Sequence, residues 1–160
     1  MTTTTIPTTS SDRIEEQVLL RAPRARVWRA LTNADELGAW FGMNLTGATI
    51  APGAHVVGPF TVPGHEHLTF DAMIEDVIPE RRFAWRWHPN VTQQPPESAE
   101  PRTLVTFLLE DAPDGCTLLR VVESGFDALP ESRRNAAFMG NSRGWQSQLH
   151  RRLPGYLAST

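Results

Sequence analysis

The order of helix-forming and strand-forming segments is the feature that most constrains the fold of this chain. Two short helical stretches, residues 23–32 and 35–41, follow a first strand, and a third stretch near the end places Trp145 ahead of regularly spaced leucines. From Leu45 to Glu123 the sequence has the turn signals and β-branched runs of antiparallel strands. A long amphipathic helix after such a middle must lie across a curved sheet and enclose a space. Whether that space is a filled core or a pocket is the functional question.

Length and cysteine content bound the class of protein. The 160 residues suit one domain that is large enough to fold without a disulfide or a metal ion. We expect a disordered tail at residues 1–11 and a single domain at residues 12–158. The one cysteine, Cys116, excludes an internal disulfide and a cysteine-based zinc site. It follows a turn signal, and it is interpreted as the first residue of a strand rather than as a nucleophile.

The charge pattern limits the partners. All 15 basic residues are arginine, which is typical of a GC-rich genome, and the formal net charge of −3 is spread along the chain. Nucleic-acid binding needs a concentrated positive face, so no nucleic-acid partner is expected. No apolar run reaches the ~18 residues of a membrane span, and residues 1–11 lack the features of a signal peptide. We therefore predict a soluble, cytoplasmic bacterial protein without a membrane partner. The sequence does not decide whether the protein forms a homodimer.

Turn and capping signals mark the first elements. Residues 13–20 are predicted to form a strand, and Pro23 begins a helix at the position that proline tolerates best. Asn33 is a candidate N-cap for the second helix, with Glu36 as its capping-box partner. Gly42 is expected to end that helix.

Turn signals and prolines also mark the elements in the middle and at the end of the chain. Further strands are predicted at residues 44–50, 54–61, 66–78, 81–88, 102–110 and 116–124. Residues 88–101, which are polar and rich in proline, are predicted to form a long, mobile hairpin loop. Pro130 begins the final helix, and Pro154 should kink that helix or end it early.

Several segments occur in an order that is shared with a known superfamily. They are Val27 to Thr32, Trp40-Phe41, Val77 to Phe83 with Trp87, Thr103 to Phe107, Glu123 to Phe126, and Gly144-Trp145 with Leu149 and Leu153. In this respect the chain resembles the helix-grip superfamily SRPBCC, the START and birch-pollen-allergen type. It is most similar to the branch related to the C-terminal domain of the activator of the Hsp-ninety chaperone ATPase.

The resemblance implies an α+β helix-grip fold. In this fold a curved antiparallel sheet of about seven strands wraps around a long C-terminal helix, and two short helices follow the first strand. The resemblance does not imply one activity, because the fold is used by lipid and hormone binders, polyketide cyclases and aromatases, resistance proteins that bind reactive natural products, and chaperone accessory domains.

Aromatic side chains are predicted to face the enclosed space. One strand carries an alternating aromatic face, formed by Phe83, Trp85 and Trp87. Trp145 lies on the apolar stripe of the covering helix, so the two sets are expected to face each other. They form either a packed core or the wall of a pocket for a flat apolar ligand. Trp28 and Trp40, in the first two helices, are expected in the core.

Glu123 is the one carboxylate that is predicted inside the cavity. It alternates with Leu119 and Val121, which are expected to point inward. Such a group has a raised pKa or an arginine partner, and Arg143 on the final helix is the candidate partner. The alternative is a purely structural ion pair.

One histidine pair is spaced like two metal ligands on a strand. In His65-Glu66-His67 the two imidazoles would share one face of a strand, but no third ligand can be identified from spacing. No metal and no cofactor are therefore predicted.

These observations lead to one functional prediction with two alternatives. We predict that the cavity binds a small, largely apolar, aromatic molecule. The predicted ligand-binding residues are Phe83, Trp85, Trp87, Phe107, Glu123, Arg143 and Trp145. The first alternative is a polyketide cyclase or aromatase that uses Glu123 as its general acid or base. The second is an interaction module that acts on a chaperone ATPase.

Overall fold

The computed structural model describes residues 12–89 and 100–160. The helices and strands, in chain order, are β1 (Arg13–Leu20), α1 (Arg24–Thr32), α2 (Ala34–Phe41), β2 (His55–Pro59), β3 (Thr69–Ile78), β4 (Arg82–Trp87), β5 (Thr103–Ala112), β6 (Cys116–Ser124), α3 (Glu131–Ser147) and α4 (Leu153–Ala158). The predicted tail at residues 1–11 lies outside the described residues, as does most of the predicted loop at residues 88–101.

The strands form one antiparallel sheet, and the C-terminal helix packs against it. The strand order is β1-β6-β5-β4-β3-β2, so β1 and β2 are the two edges. This confirms the predicted α+β helix-grip architecture with two short helices after β1. The described residues contain six strands, where the resemblance implied about seven. No helix in the described part of the chain combines the length and the apolar character needed to cross a membrane.

The strand predicted at residues 44–50 is wrong. This segment contributes only an isolated bridge between Met43 and Phe60. The Asn44 side chain accepts hydrogen bonds from the backbone N–H and the hydroxyl of Thr46, at 3.0 and 2.6 Å. Gly47 then adopts a φ of 82°. The local side-chain bonds compete with strand pairing and form a turn instead.

The predicted boundaries of α2 are confirmed. The Asn33 side chain accepts a hydrogen bond from the backbone N–H of Glu36 at 3.0 Å, which satisfies one free donor of the first turn. Gly42 ends the helix with a φ of 101°, a conformation that favours glycine. The turn after α2 therefore places Phe41 at a fixed position beside the sheet.

The C-terminal helix does not end at Pro154. A five-residue π-helical segment, Gln148–Arg152, joins α3 to α4, and the backbone stays helical through Ala158. Within it the N–H of Leu153 donates to the carbonyl of Gln148, five residues earlier. Pro154 has no N–H and its ring crowds the preceding turn. We attribute the widened turn to this crowding, which it relieves without interrupting the helix.

The inner face of the sheet is packed with aromatic side chains. Phe83, Trp85 and Phe107 are fully buried. Trp40 is also in the core, where its indole N–H donates to the Ala30 carbonyl at 2.8 Å. The core prediction is wrong for Trp28, which is only half-buried and packs edge-on against Phe83 at the margin of the core.

Candidate functional site

An open cleft of about 740 Å³ lies beside the C-terminal helix. The end of α2, the 60–70 segment, the end of β4 and the C-terminal helix all contribute to it. Its apolar lining consists of Phe41, Phe60, Val62, Leu68, Phe70, Trp87 and Trp145. Its polar and small lining consists of His65, Thr69, Asp71, His88, Asn141, Gly144, Ser147, Gln148, Arg151 and Arg152. The helix contributes side chains at i, i+3, i+4 and i+7 from Asn141, which places one face of it along the cleft.

Two of the predicted ligand-binding aromatic residues line this cleft. Trp87 and Trp145 are neighbours in its wall, with ring centroids 6.0 Å apart and an angle of 38° between the ring planes. The other three, Phe83, Trp85 and Phe107, are fully buried and are not among the lining residues. They form the core beneath the cleft, so the predicted aromatic face is divided between core and cleft wall.

Phe41 joins these two layers, and its role in the site was missed from the sequence. Its ring lies edge-on against Phe70, Trp85, Trp87 and Trp145, at centroid distances of 6.1, 5.9, 6.0 and 5.9 Å. The Trp40-Phe41 pair was visible in the sequence. Its helical context, however, gave no sign that the last residue of α2 would meet the far end of β4.

Glu123 lies inside, as predicted, but its partners are not arginines. The residue is fully buried and accepts hydrogen bonds from four side chains. The donors are Thr103 Oγ1 at 2.6 Å, Trp145 Nε1 at 2.7 Å, Trp87 Nε1 at 2.8 Å and Asn141 Nδ2 at 2.9 and 3.0 Å. Burial raises the pKa of Glu123, and the four donors oppose that rise. The carboxyl group therefore orients both cleft tryptophans from behind.

The predicted pairing of Glu123 with Arg143 is wrong. Arg143 is exposed and borders a separate shallow depression that it shares with Glu16 and His150. It precedes Trp145 by two residues, which places it roughly 200° around the helix from that residue. A polar position close in sequence to a core position was mistaken for one on the same face.

Two basic residues that the sequence reasoning missed stand at the cleft. Arg152 Nη1 donates to the Phe41 carbonyl at 2.9 Å, and Gln148 Nε2 donates to the same oxygen at 3.0 Å. These bonds satisfy a free carbonyl at the end of α2 and tie that helix to the π-helical segment. Arg151 also lines the cleft, and it is exposed. The Pro154-Gly155 signal marked an irregular helix, but it did not show which side chains the irregularity would place here.

Two histidines, His65 and His88, lie at the cleft. The strand predicted for His65 and His67 is wrong at its start, because β3 begins only at Thr69 and both histidines lie in the preceding turn. His65 lines the cleft, as does His88. Burial lowers the pKa of His88, and nearby Arg102 acts in the same direction. Within residues 12–89 and 100–160, no three histidine, cysteine or acidic side chains are grouped so as to hold a metal ion.

Comparison with solved structures gives matches over nearly the whole chain. The protein MLL2253 from Mesorhizobium loti is 25% identical with a TM-score of 0.68, and the match covers 92% of this chain and 98% of that one. NE0264 from Nitrosomonas europaea is 20% identical with a TM-score of 0.72, over 94% and 96% of the two chains. DynU16, a protein in the dynemicin biosynthetic locus, is 26% identical with a TM-score of 0.69. That match covers 92% of this chain but 47% of DynU16.

Sequence comparison assigns the family. No curated protein matches the chain at a significant level. Residues 21–158, which span α1 through α4, match the family described as Activator of Hsp90 ATPase homolog 1-like protein. The match agrees with the helix-grip architecture and with the resemblance drawn from the sequence. The chain belongs to the Activator of Hsp90 ATPase homolog 1-like protein family, within the SRPBCC superfamily.

Proposed function

We propose that this protein binds a small, flat, largely apolar molecule in the cleft beside its C-terminal helix. The observation that carries the proposal is the open volume of about 740 Å³ beside a wall of aromatic rings. Small-molecule sites are typically concave spaces of about 300–1,000 Å³ with apolar walls and a few polar groups. The cleft has apolar walls from Phe41, Phe70, Trp87 and Trp145, and its polar groups lie mainly on the C-terminal helix.

The rings of the wall are held before any ligand arrives. Trp87 and Trp145 are each tied to Glu123 through the indole N–H, and Phe41 packs edge-on against both. A ligand therefore would not need to order these side chains, which lowers the free-energy cost of association. Burying about 250 Å² of apolar ligand surface corresponds to about 6 kcal/mol before association costs. Since association costs reduce this figure, we expect dissociation constants weaker than about 40 μM for two-ring compounds.

Binding is better supported than the cyclase or aromatase alternative. A general acid or base must come within hydrogen-bond reach of the proton that it moves. Glu123, the candidate for that role, is fully buried, is not among the lining residues, and is occupied by four donors. Its position favours a structural role behind the cleft wall.

Exposed apolar side chains give the chaperone-module alternative little support within residues 12–89 and 100–160. Such a module would need a contiguous apolar or charged patch. Among the described residues, the large apolar side chains that are exposed are Leu19, Val57, Ile78 and Met139. Leu19 and Val57 lie on β1 and β2, which are opposite edges of the sheet. By contrast, the DynU16 relative lies in a biosynthetic locus, which supports a small organic ligand.

The test is calorimetric titration with neutral aromatic compounds of two to four fused rings, beginning with 2-naphthamide. We expect saturable binding to the parent protein and at least tenfold weaker binding to Gly144→Leu. Gly144 lies on the cleft face of α3 between Asn141 and Gln148, and a Cβ built there meets no atom within 4 Å. A leucine side chain would therefore enter the cleft without a clash.

A second glycine on the same helix gives the matched control. Gly155 is exposed, does not line the cleft, and also leaves open space for a Cβ. Gly155→Leu should therefore bind the compounds as the parent does. The proposal fails if no compound binds saturably, or if Gly144→Leu and Gly155→Leu bind equally well.

A further inference from the structure

The charged groups of the cleft are unevenly placed. The apolar rings lie at its inner wall, where Trp145 is 2% exposed. Arg151 and Arg152 lie at its outer end, on the π-helical segment, and both are exposed. Two consecutive helical residues normally diverge by about 100° around the axis. Here both line the cleft, within the widened turn that precedes Pro154.

One of these two arginines is already engaged. Arg152 donates to the carbonyl of Phe41. Among the residues that the structure describes, Arg151 makes neither a hydrogen bond nor an ion pair. Glu16 lines the shallow depression that Arg151 also borders, and its carboxylate is 3.4 Å from His150. The guanidinium of Arg151 is therefore open to an anion in the cleft.

The acidic groups near the cleft do not cancel this charge. Asp71 is the one carboxylate among the described lining residues. It accepts hydrogen bonds from His55 at 2.8 Å and from Arg102 at 3.1 Å, so its charge is compensated. Glu123 lies behind Trp87 and Trp145, at the inner wall. A negatively charged ligand group would lie near Glu123 if it pointed to the inner end of the cleft. If it pointed to the outer end, it would lie near Arg151.

We infer that the ligand is an aromatic acid, whose ring system packs against the wall that contains Trp87 and Trp145 and whose carboxylate points outward to Arg151. This inference rests on the proposed binding function and adds the charge and the orientation of the ligand. The guanidinium group offers paired N–H donors that match a carboxylate. Six residues separate Trp145 from Arg151, a distance of about 9 Å along the helix. That span suits two fused rings followed by a carboxylate.

A matched ligand pair tests the inference. 2-Naphthoate and 2-naphthamide share shape and size, but only the first is charged at pH 7. Because the ion pair is solvent-exposed, we expect the parent protein to bind 2-naphthoate roughly fivefold more tightly than 2-naphthamide at low salt. The preference should shrink at high salt, where exposed charges are screened. Arg151→Gln should remove the preference, so that the variant binds 2-naphthoate and 2-naphthamide about equally.

Arg143→Gln is the control, because it removes the same charge from the same helix outside the cleft. It should keep the preference of the parent protein. The inference is overturned if the parent shows no preference, if Arg151→Gln retains it, or if Arg143→Gln loses it equally. In each of those cases saturable binding of 2-naphthamide leaves the proposed function standing. If neither compound binds the parent protein, the proposed function fails as well.

Discussion

At the scale of single residues, Glu123 connects the sheet to the helix. Its carboxyl group lies on β6 and accepts hydrogen bonds from Thr103 on β5, Trp87 on β4 and two residues of α3. A buried carboxyl group is tolerated only when its oxygens are satisfied. Because its indole partners line the cleft, this buried group sets the shape of the wall that a ligand would contact.

Glu123→Gln should therefore destabilise the protein by about 1–3 kcal/mol, the cost of leaving a buried donor without an acceptor. One carboxyl oxygen receives the Trp145 N–H and the other receives the Trp87 N–H. An indole N–H can only donate, so whichever oxygen becomes an amide nitrogen, one tryptophan faces another donor. This holds whether or not Glu123 is protonated, since a carboxyl O–H can still accept. Urea denaturation, followed by tryptophan emission, measures the loss.

Thr103→Val is the companion variant for that measurement. It removes one donor to Glu123 and leaves both indole bonds in place. We expect a smaller loss of stability and an unchanged affinity for 2-naphthamide. If Glu123→Gln unfolds at the same urea concentration as the parent, the role given to this carboxyl group is wrong.

At the scale of elements, Glu36 joins three helices. It lies on α2, and its carboxylate forms an ion pair with Arg26 and accepts a hydrogen bond from Arg29, both of α1 and each at 2.8 Å. It also accepts from the hydroxyl of Tyr156 on α4 at 2.8 Å. Burial acts to raise the pKa of Glu36, but hydrogen bonds from Tyr156 and the two arginines outweigh it, so the pKa lies below its ordinary value. The short helices are thereby fixed against the end of the long one.

Replacing Glu36 with Gln should cost about 1 kcal/mol of stability at pH 7, since the partly exposed charges are screened by solvent. A carboxylate whose folded-state pKa is lowered stabilises the fold above its ordinary pKa of 4.5, and this contribution is lost as the pH falls through the folded-state value. The difference between parent and variant should therefore narrow below pH 4.5. Urea denaturation at pH 7 and at successive acidic values measures it.

Glu75→Gln provides the comparison. Glu75 pairs with Arg86 on the outer face of the sheet, where both side chains are close to half exposed. Its loss should change stability little at any of these pH values. If the difference in the free energy of unfolding between the parent and Glu36→Gln stays constant or widens as the pH falls, the role assigned to Glu36 is wrong.

At the scale of the whole molecule, the sequence was most informative where local patterns decide the structure. Strand alternation placed Phe83, Trp85, Trp87 and Glu123 on the inner face, and the caps of α2 followed from Asn33 and Gly42. The cleft could not be predicted in this way, because it forms where separate segments meet. Which aromatic rings are core and which are wall depends on where α2 and the 60–70 segment end beside the sheet. The error on Arg143 has the same origin, since helix rotation was not fixed by sequence.

An open cleft also means that the free protein forgoes apolar burial that it could have had. Gly144 shows this most directly, because it lies in the interior of α3, where glycine is unfavourable, and leaves its cleft face empty. Such positions are candidates for a trade of stability against function. Larger side chains are expected to be compatible with folding here and incompatible with binding.

The free Gly144→Leu protein should accordingly be more stable than the parent, by about 0.8 kcal/mol from helix propensity plus a contribution from burial against the cleft wall. Gly155→Leu should gain at most the propensity part, because its side chain would lie in solvent. A concentration of 2-naphthamide at 100 times the parent's dissociation constant should stabilise the parent and Gly155→Leu by about 2.7 kcal/mol. Gly144→Leu, which should bind at least tenfold more weakly, should gain at most about 1.4 kcal/mol. The stability of the parent, Gly144→Leu and Gly155→Leu is measured by thermal and urea unfolding, each with and without 2-naphthamide. A destabilised Gly144→Leu would mean that the space beside this glycine is not open, and both the cleft and the binding assigned to it would have to be abandoned.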